Sequence, residues 1–239
     1  VGGYYARARN PLADLDLVPE SFVGVAMKDA WAELNEQVRR NSAHRAASFA
    51  ALRRAGILGA GNRTDPEKGL YESDTGEIVT DVARETMTVD APRFQAAALK
   101  PDAAQATLSA LAVERVSTPA SILAISLDAA APVAASRRLL VIVATAFAAE
   151  NARWTRAGWE CSSDAQLEAG GYETLMKTGR FRFSIRSALR APRVFAVNFD
   201  GSRGVEMPAS VADGRLRLDW DTSALEDATP YFEVVEGGK

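Results

Sequence analysis

The stretch from Leu70 to Leu99 constrains the fold most, because turn residues there separate short runs of alternating apolar residues. Asp74-Thr75-Gly76 predicts a tight turn, since aspartate can hydrogen-bond its own backbone and glycine adopts a positive φ without strain. β-Branched residues follow in Glu77–Val82, so the segment predicts a hairpin. Met87–Asp90 and Phe94–Leu99 predict two further strands, separated by a proline that cannot donate to a ladder. The stretch predicts a meander of antiparallel strands.

Strand patterns continue to the end of the chain at the spacing typical of β-sandwiches. They cover Ala106–Val113, Ser121–Leu127, Leu139–Ala148, Tyr172–Met176, Phe181–Ile185, Val194–Phe199, Leu216–Trp220 and Tyr231–Val235. Apolar and polar residues alternate most clearly at 181–185 and 215–220, which predicts one inward and one solvated face for each strand. Asp213-Gly214 predicts a hairpin turn, and Asp200-Gly201 predicts a loop between two strands.

The first 60 residues show helical rather than strand periodicity. Apolar residues recur at helical spacing at Val25, Trp31, Leu34 and Val38, and a second helix is predicted over Ser42–Leu58. Residues 59–69 are rich in glycine and polar residues, which predicts a domain boundary. The predicted fold is mainly β: a helical segment over 1–60, then an antiparallel β-sandwich over 70–239.

Composition excludes several classes of function. The chain has 239 residues and a net charge of −3, without the clustered basic residues that nucleic-acid binding requires. Cys161 is the only cysteine, so neither a disulfide nor a cysteine zinc site is expected. The longest apolar run, Leu139–Ala149, is too short for a membrane span of about 18 residues. We expect no nucleic-acid or membrane partner. Because the chain begins at Val1 without an initiator methionine, we expect further residues upstream.

Two blocks of sequence resemble a known family. The first comprises Ser73-Asp74-Thr75-Gly76-Glu77-Ile78 followed by Met87-Thr88-Val89-Asp90-Ala91-Pro92-Arg93-Phe94-Gln95. The second comprises Ser136-Arg137-Arg138-Leu139-Leu140-Val141-Ile142-Val143-Ala144-Thr145-Ala146 followed by Glu150-Asn151. Both are similar to the β-sandwich that follows the catalytic (β/α)8 barrel in cellulase-like bacterial glycoside hydrolases. The likeness covers roughly residues 45–235.

The resemblance implies that residues 1–60 are the tail of a barrel and that the sandwich is an accessory domain. Its partners would be the upstream catalytic barrel and a poly- or oligosaccharide, and the location would be secreted or periplasmic. Glycosidic hydrolysis requires two carboxylates, which barrel enzymes place at the ends of barrel strands. Those strands are absent from this sequence, so no catalytic residue is assigned.

Five residues are candidate sugar contacts. Tyr4, Tyr5 and Arg7 would lie near the barrel mouth under the resemblance, although packing against a neighbouring surface is the simpler interpretation. Trp154 and Trp159 could form a stacking platform together with a tryptophan of another strand, because aromatic rings cover the apolar face of a sugar. Core or inter-domain packing is the alternative for these tryptophans as well.

Other reactive residue types favour structural interpretations. The single histidine, His44, lies near a helix start and favours a surface or capping role, which leaves no nucleophilic triad. A calcium site at Asp200–Ser202 is only weakly indicated, and neither a cofactor nor a metal site is predicted. Acidic residues in the meander predict a solvated face; they are Glu72, Asp74, Glu77, Asp81, Glu85 and Asp90.

Two functions of other classes remain open beside the accessory role. One is a freestanding carbohydrate-binding or adhesion-type sandwich, and the other is a scaffold that presents its helical pair to a partner.

Cys161 is expected in a loop-like stretch, as an unreactive thiol.

Overall fold

The computed structural model describes residues 47–101, 105–149, 152–155, 158–161, 174–225 and 228–237. The chain is mainly β, with strands that pair antiparallel throughout, and a short helix stands at the beginning of the described part. This confirms the predicted fold class. Two compact units are present, Val1–Ala83 and Arg84–Lys239. The division expected between residues 60 and 70 stays a prediction.

The described part of the first unit contains a helix at residues 47–54 and a hairpin of β1 (Leu70–Glu72) and β2 (Ile78–Asp81). The hairpin turn contains Gly76 at a φ of 76°, the conformation for which glycine was expected. Phe49 of the helix contacts Tyr71 of β1, with ring centroids 5.9 Å apart. The first predicted helix, with its apolar residues from Val25 to Val38, lies outside the described residues.

The second unit contains two main sheets and two small two-stranded ones. Its strands are β3 (Thr86–Ala91), β4 (Phe94–Leu99), β5 (Ala106–Thr107), β6 (Leu111–Val116), β7 (Ala120–Ser126), β8 (Arg138–Ala144), β9 (Phe147–Ala149), β10 (Ala152–Thr155), β11 (Gly158–Cys161), β12 (Thr174–Met176), β13 (Arg180–Arg186), β14 (Pro192–Val197), β15 (Arg203–Met207), β16 (Ser210–Ala212), β17 (Arg215–Asp221) and β18 (Tyr231–Glu236). Short 3-10 helices form at Val133–Ala135 and Thr222–Ala224.

The larger sheet of this unit has the strand order β3-β4-β7-β8-β18-β14-β15, and the smaller sheet has the order β16-β17-β13-β6-β5. Strands β10 and β11 pair with each other, as do β9 and β12. Alternate residues of both main sheets join one buried apolar cluster, so the two sheets pack face to face as a sandwich. Each sheet therefore has one outer face.

Aromatic residues fill the centre of the core. Trp220 of the smaller sheet contacts Phe232 of the larger one at a centroid distance of 4.4 Å, and Phe183 meets Trp220 edge-on at 5.3 Å. The indole Nε1 of Trp220 donates to the carbonyl oxygen of Pro208 at 2.8 Å, which satisfies its polar group. Trp220 is thus a core residue, in agreement with the packing alternative for the predicted aromatic platform.

A buried glutamine joins the two sheets near one end. Gln95 on β4 is 1% exposed, and its Oε1 accepts from the backbone N–H groups of Ala110 at 3.0 Å and Leu111 at 2.6 Å. Its Nε2 donates to Asp90 at 2.8 Å and to Ser109. Because every polar atom of this buried amide has a partner, the network fixes β6 against β4.

Most predicted strands are present, with local differences. The run 139–148 divides into β8 and β9, and 106–113 divides into β5 and β6. The sequence interpretation missed β10, β15 and β16. Residues 158–161 form a strand, so the prediction of a loop at Cys161 was wrong at the backbone. Within the described ranges no helix has the length and apolar content needed to cross a membrane.

Candidate functional site

The outer face of the smaller sheet carries a groove of about 860 Å³, here named the cross-sheet groove. Its lining residues come from all five strands of the sheet and from the 208–209 connection; they are Thr107, Ala112, Glu114, Arg182, Phe183, Ser184, Pro208, Ala209, Ser210, Arg215, Arg217, Leu218 and Asp219. The strand register explains why a depression forms here.

The floor of the groove is a row of mainly small side chains, in which Arg217 is the exception. Ala112 pairs with Thr107 on one side and with Ser184 on the other. Ser184 pairs in turn with Arg217, and Arg217 pairs with Ser210. This row crosses five strands, so four strand spacings of about 4.8 Å give it a length of about 19 Å. The groove therefore runs perpendicular to the strands.

Long charged side chains flank the floor. On one side Arg182 binds Asp219 through an ion pair of 2.7 Å, and both residues are exposed. Glu114 lies on the same side, where β6 has an irregular register opposite Arg182 and Phe183. Arg217 binds Asp213 at 2.7 Å. The groove therefore offers both hydrogen-bond donors and acceptors to a ligand.

Arg215 forms the other flank and has an unusual set of partners. Its Nε donates to the Ser184 hydroxyl at 2.9 Å, and its Nη2 donates to the carbonyl oxygens of Ala110 at 2.7 Å and Ser184 at 3.2 Å. In the cross-strand register it lies directly opposite Arg186. Partial burial, followed by the charges of Arg186 and Arg217, lowers the pKa of Arg215, and Glu114 opposes the shift. This end of the groove has an excess of positive charge.

The outer face of the larger sheet has the opposite chemistry. Two neighbouring rows of outward residues on β3, β4, β7 and β8 are apolar and partly exposed; these residues, here named the apolar face, are Val89, Ala91, Phe94, Ala96, Leu123, Ile125, Leu140 and Ile142. Met87 on β3 continues the face and is 45% exposed. An outer sheet face in water normally carries polar residues.

A buried carboxylate lies beside the apolar face, in the same row as Leu140. Glu233 on β18 is 6% exposed and accepts from Arg138 Nε at 2.5 Å and Arg203 Nε at 2.6 Å. Burial opposes its ionisation, but the two arginines outweigh burial and lower the pKa of Glu233. Arg203 also stacks over the Phe195 ring, with 5.0 Å from Cζ to the centroid. The cluster is a fully paired structural site.

The predicted sugar contacts stay predictions. Tyr4, Tyr5 and Arg7 lie outside the described residues, as does His44. The backbone of β10 and β11 is described, and its register places Trp154 directly opposite Trp159. The sequence alone gave no reason why these two tryptophans should lie close together. The pairing of β10 with β11 provides the reason, because it brings their backbones side by side.

Sequence reasoning missed the cross-sheet groove. Its floor combines residues as distant as Thr107 and Ser210, which meet only through strand register. One signal was present: arginines occupy the outward positions of β13 and β17, at 180, 182, 186, 215 and 217, where other polar residues would serve equally well. Arginine pairs well with carboxylates, and three of these arginines pair with aspartates of the same sheet or its turn, at Asp221, Asp219 and Asp213.

The acidic meander is only partly a solvated face. The Glu72 side chain is 6% exposed and binds Arg63 through the side chain and the backbone N–H, with Nη2 at 2.6 Å. Asp90 belongs to the Gln95 network. The interpretation of Glu72 as solvated was wrong, because its side chain is buried beneath the exposed Arg63, and Asp90 is only partly exposed because it accepts hydrogen bonds from Gln95 and Ser109. At the weak calcium candidate, Asp200 instead accepts from Ser202. No metal-binding group of histidine, cysteine and carboxylate side chains is found among the described residues.

Seven carboxylates share one electrostatic property. Each has its pKa lowered by hydrogen bonds from arginine or lysine side chains, hydroxyls or backbone N–H groups; they are Asp65, Glu72, Asp128, Asp200, Glu206, Asp221 and Glu233. A glycosidase acid needs the opposite shift, which keeps the carboxyl protonated near neutral pH. These groups are suited to binding and structural roles.

Comparison with known proteins adds no relative: no family model, no curated protein and no solved structure matches the chain.

Proposed function

We propose that this chain is the non-catalytic C-terminal portion of a bacterial glycoside hydrolase, in which the β-sandwich supports an upstream catalytic barrel. The sequence blocks that resemble such enzymes coincide with β3, β4 and β8, three strands of the larger sheet. The lowered carboxylate pKa values accord with a role that does not include acid catalysis. Hydrolysis would belong to the barrel.

The contrast between the two outer faces carries this proposal. The smaller sheet presents arginines and carboxylates to water, whereas the larger sheet presents the apolar face. Continuous apolar surfaces mark interaction sites, and permanent interfaces are more apolar than transient ones. A domain of the same polypeptide is a permanent partner, so we assign the barrel as the occupant of the apolar face.

The test requires the gene segment that encodes the residues before Val1. We expect it to encode a polypeptide that hydrolyses glycosidic bonds and that binds the separately produced 239-residue chain in an analytical ultracentrifuge. Leu140→Glu, on β8 at one margin of the apolar face, should abolish binding. Val211→Glu, at a 42% exposed apolar residue of the smaller sheet, is the matched control and should bind normally. An upstream segment without a glycosidase, or equal binding by both variants, would overturn the proposal.

The hairpin of β10 and β11 favours a second candidate, a freestanding carbohydrate-binding or adhesion-type module. Its register pairs Trp154 with Trp159, the two residues expected to form a stacking platform. Tryptophan fluorescence during an oligosaccharide titration tests this candidate directly. Saturable binding that disappears in Trp154→Ala and Trp159→Ala would support it, and binding unaffected by both replacements would contradict it.

A further inference from the structure

We propose that the cross-sheet groove binds an extended oligosaccharide that carries a carboxylate group near one end. The inference concerns a site and a ligand class of this chain alone, so it does not depend on the supporting role proposed above.

The shape of the groove fits an extended chain. Its floor crosses five strands over about 19 Å and consists largely of small side chains, including Ala112 and Ser184. The direction of the groove excludes one common mode of peptide binding. A peptide that extends a sheet needs the unpaired backbone of an edge strand, whereas the floor backbone is paired within the sheet.

The mixed charges of the flanks favour a ligand rich in hydroxyl groups. Asp219 and Glu114 can accept hydrogen bonds, and Arg182 can donate them. Sugar hydroxyls both donate and accept, so they match this combination. A nucleic-acid backbone carries a phosphate at every nucleotide, so phosphates along the groove would be repelled by Asp219 and Glu114, whereas a single carboxylate at the Arg215 end would not.

The requirement for a carboxylate comes from the end of the groove at Arg215. The guanidinium of Arg215 donates hydrogen bonds to two carbonyl oxygens and a hydroxyl. In the described part of the chain, Arg215 forms no ion pair with a carboxylate. Arg186, directly opposite, likewise has no ion pair within the described ranges. Like charges directly opposite one another destabilise a sheet. A ligand carboxylate placed between the two side chains would remove this repulsion.

Other charges nearby do not neutralise the pair. Arg217 adds a third positive charge, which Asp213 balances from an exposed position. Glu114 is the other carboxylate that acts on Arg215. The groups Arg186, Arg215, Arg217, Asp213 and Glu114 together carry a net charge of about +1 at neutral pH. A single ligand carboxylate complements this charge.

The experiment uses calorimetric titration of the 239-residue chain with two probes. One is a hexasaccharide of galactose that ends in a single galacturonic acid, and the other is the same hexasaccharide with its carboxylate methyl-esterified. We expect the acidic form to bind and the ester to bind at least about tenfold more weakly, because hydrogen bonds to charged groups contribute about 1.5–3 kcal/mol. Equal binding of both forms, or binding of neither, would overturn the proposal.

Single substitutions distinguish binding in the groove from non-specific electrostatic binding elsewhere on the surface. Arg186→Gln should weaken binding of the acidic hexasaccharide by about tenfold. Arg137→Gln removes an exposed arginine that lies just before β8, away from the smaller sheet, and should leave the affinity unchanged. Ala112→Leu should reduce binding by filling the floor, with circular dichroism as the check on folding. Equal losses in Arg186→Gln and Arg137→Gln would contradict the assignment.

Two competitors complete the test. A single-stranded DNA 12-mer and a poly-glutamate peptide carry negative charge without sugar hydroxyls. We expect neither to displace the hexasaccharide at equal charge concentration. Displacement by either one would replace the saccharide with a nucleic acid or an acidic peptide as the ligand. Failure of this experiment leaves the binding of the barrel to the apolar face untouched, since Leu140 lies on the other sheet.

Discussion

Trp220 on β17 and Phe232 on β18 pack against each other across the sandwich, with ring centroids 4.4 Å apart. Trp220 is 1% exposed and Phe232 is fully buried, so the pair joins the two sheets at the centre of the core. We predict that Trp220→Ala lowers the free energy of unfolding by about 3–5 kcal/mol, the usual cost of a large core cavity. Urea denaturation followed by far-UV circular dichroism measures the change. Val205→Ala, at a 58% exposed residue, should differ from the parent by less than about 0.5 kcal/mol.

Replacement of the buried carboxylate between two arginines should also destabilise the sandwich. Glu233→Gln keeps the size of the side chain but removes the charge that Arg138 and Arg203 both bind. Both arginines are about half exposed, so solvent screening reduces the loss, and we expect about 1–2 kcal/mol. Glu206→Gln is the control, because its pair with Arg193 is exposed on both sides, and it should cost clearly less. Equal losses in the two variants would contradict the structural role of burial at Glu233.

The same carboxylate predicts a dependence of stability on pH. The pKa of Glu233 is lower in the folded chain than in the unfolded chain, so its contribution is complete above the ordinary glutamate value of about 4.3. As the pH falls from there through the lowered folded pKa, the contribution disappears. We expect the difference in unfolding free energy between the parent and Glu233→Gln to shrink between about pH 5 and pH 2. A constant difference across this range would show that the lowered pKa does not contribute.

The Gln95 network predicts a larger loss than hydrophobicity alone suggests. Gln95→Leu leaves the N–H groups of Ala110 and Leu111 without their acceptor, and each unsatisfied buried group costs about 1–3 kcal/mol. We expect a loss of at least about 2 kcal/mol in urea denaturation. Gln95→Glu keeps the acceptor oxygens but sets a carboxylate against Asp90, so its loss should be smaller at pH 4 than at pH 7. If Gln95→Leu were as stable as the parent, the hydrogen bonds of Gln95 would not contribute to stability.

The turn between β16 and β17 tests a backbone requirement. Asp213 has a φ of 55° and Gly214 a φ of 69°, as the Asp-Gly dipeptide predicted. A Cβ at Gly214 would meet no atom within 4 Å, so Gly214→Ala isolates the conformational cost. We expect a loss of about 1 kcal/mol. Gly61→Ala also meets no neighbour, at a residue without positive φ, and should be neutral. Equal stabilities of the two variants would argue against strain at residue 214.

Local patterns predicted the parts of the fold that depend on neighbours along the chain. The hairpin turn at Gly76 and the alternation in Phe181–Ile185 follow directly from glycine chemistry and from the pleat of a strand. β15 escaped notice because four of its five residues are exposed, so no alternation marks it. β16 is only three residues long.

The candidate site could not be predicted because it depends on register. Thr107, Ser184 and Ser210 are unremarkable polar residues in sequence, and only the pairing of five strands places them in one row. The opposition of Arg186 and Arg215 is equally invisible before the pairing of β13 with β17 is known. The apolar face was obscured for another reason: Leu140 and Ile142 lie in a continuous apolar run, which gives no indication of which side is covered.

The short outermost strands of the smaller sheet limit self-association of the protein through its sheet edges. β5 contributes two residues and β16 three, so each margin offers few free backbone groups to a foreign strand. On the larger sheet the terminal strand β15 shifts register against β14 between Phe195 and Val197, which interrupts a regular template. The sandwich is thereby protected against strand-by-strand polymerisation at these margins.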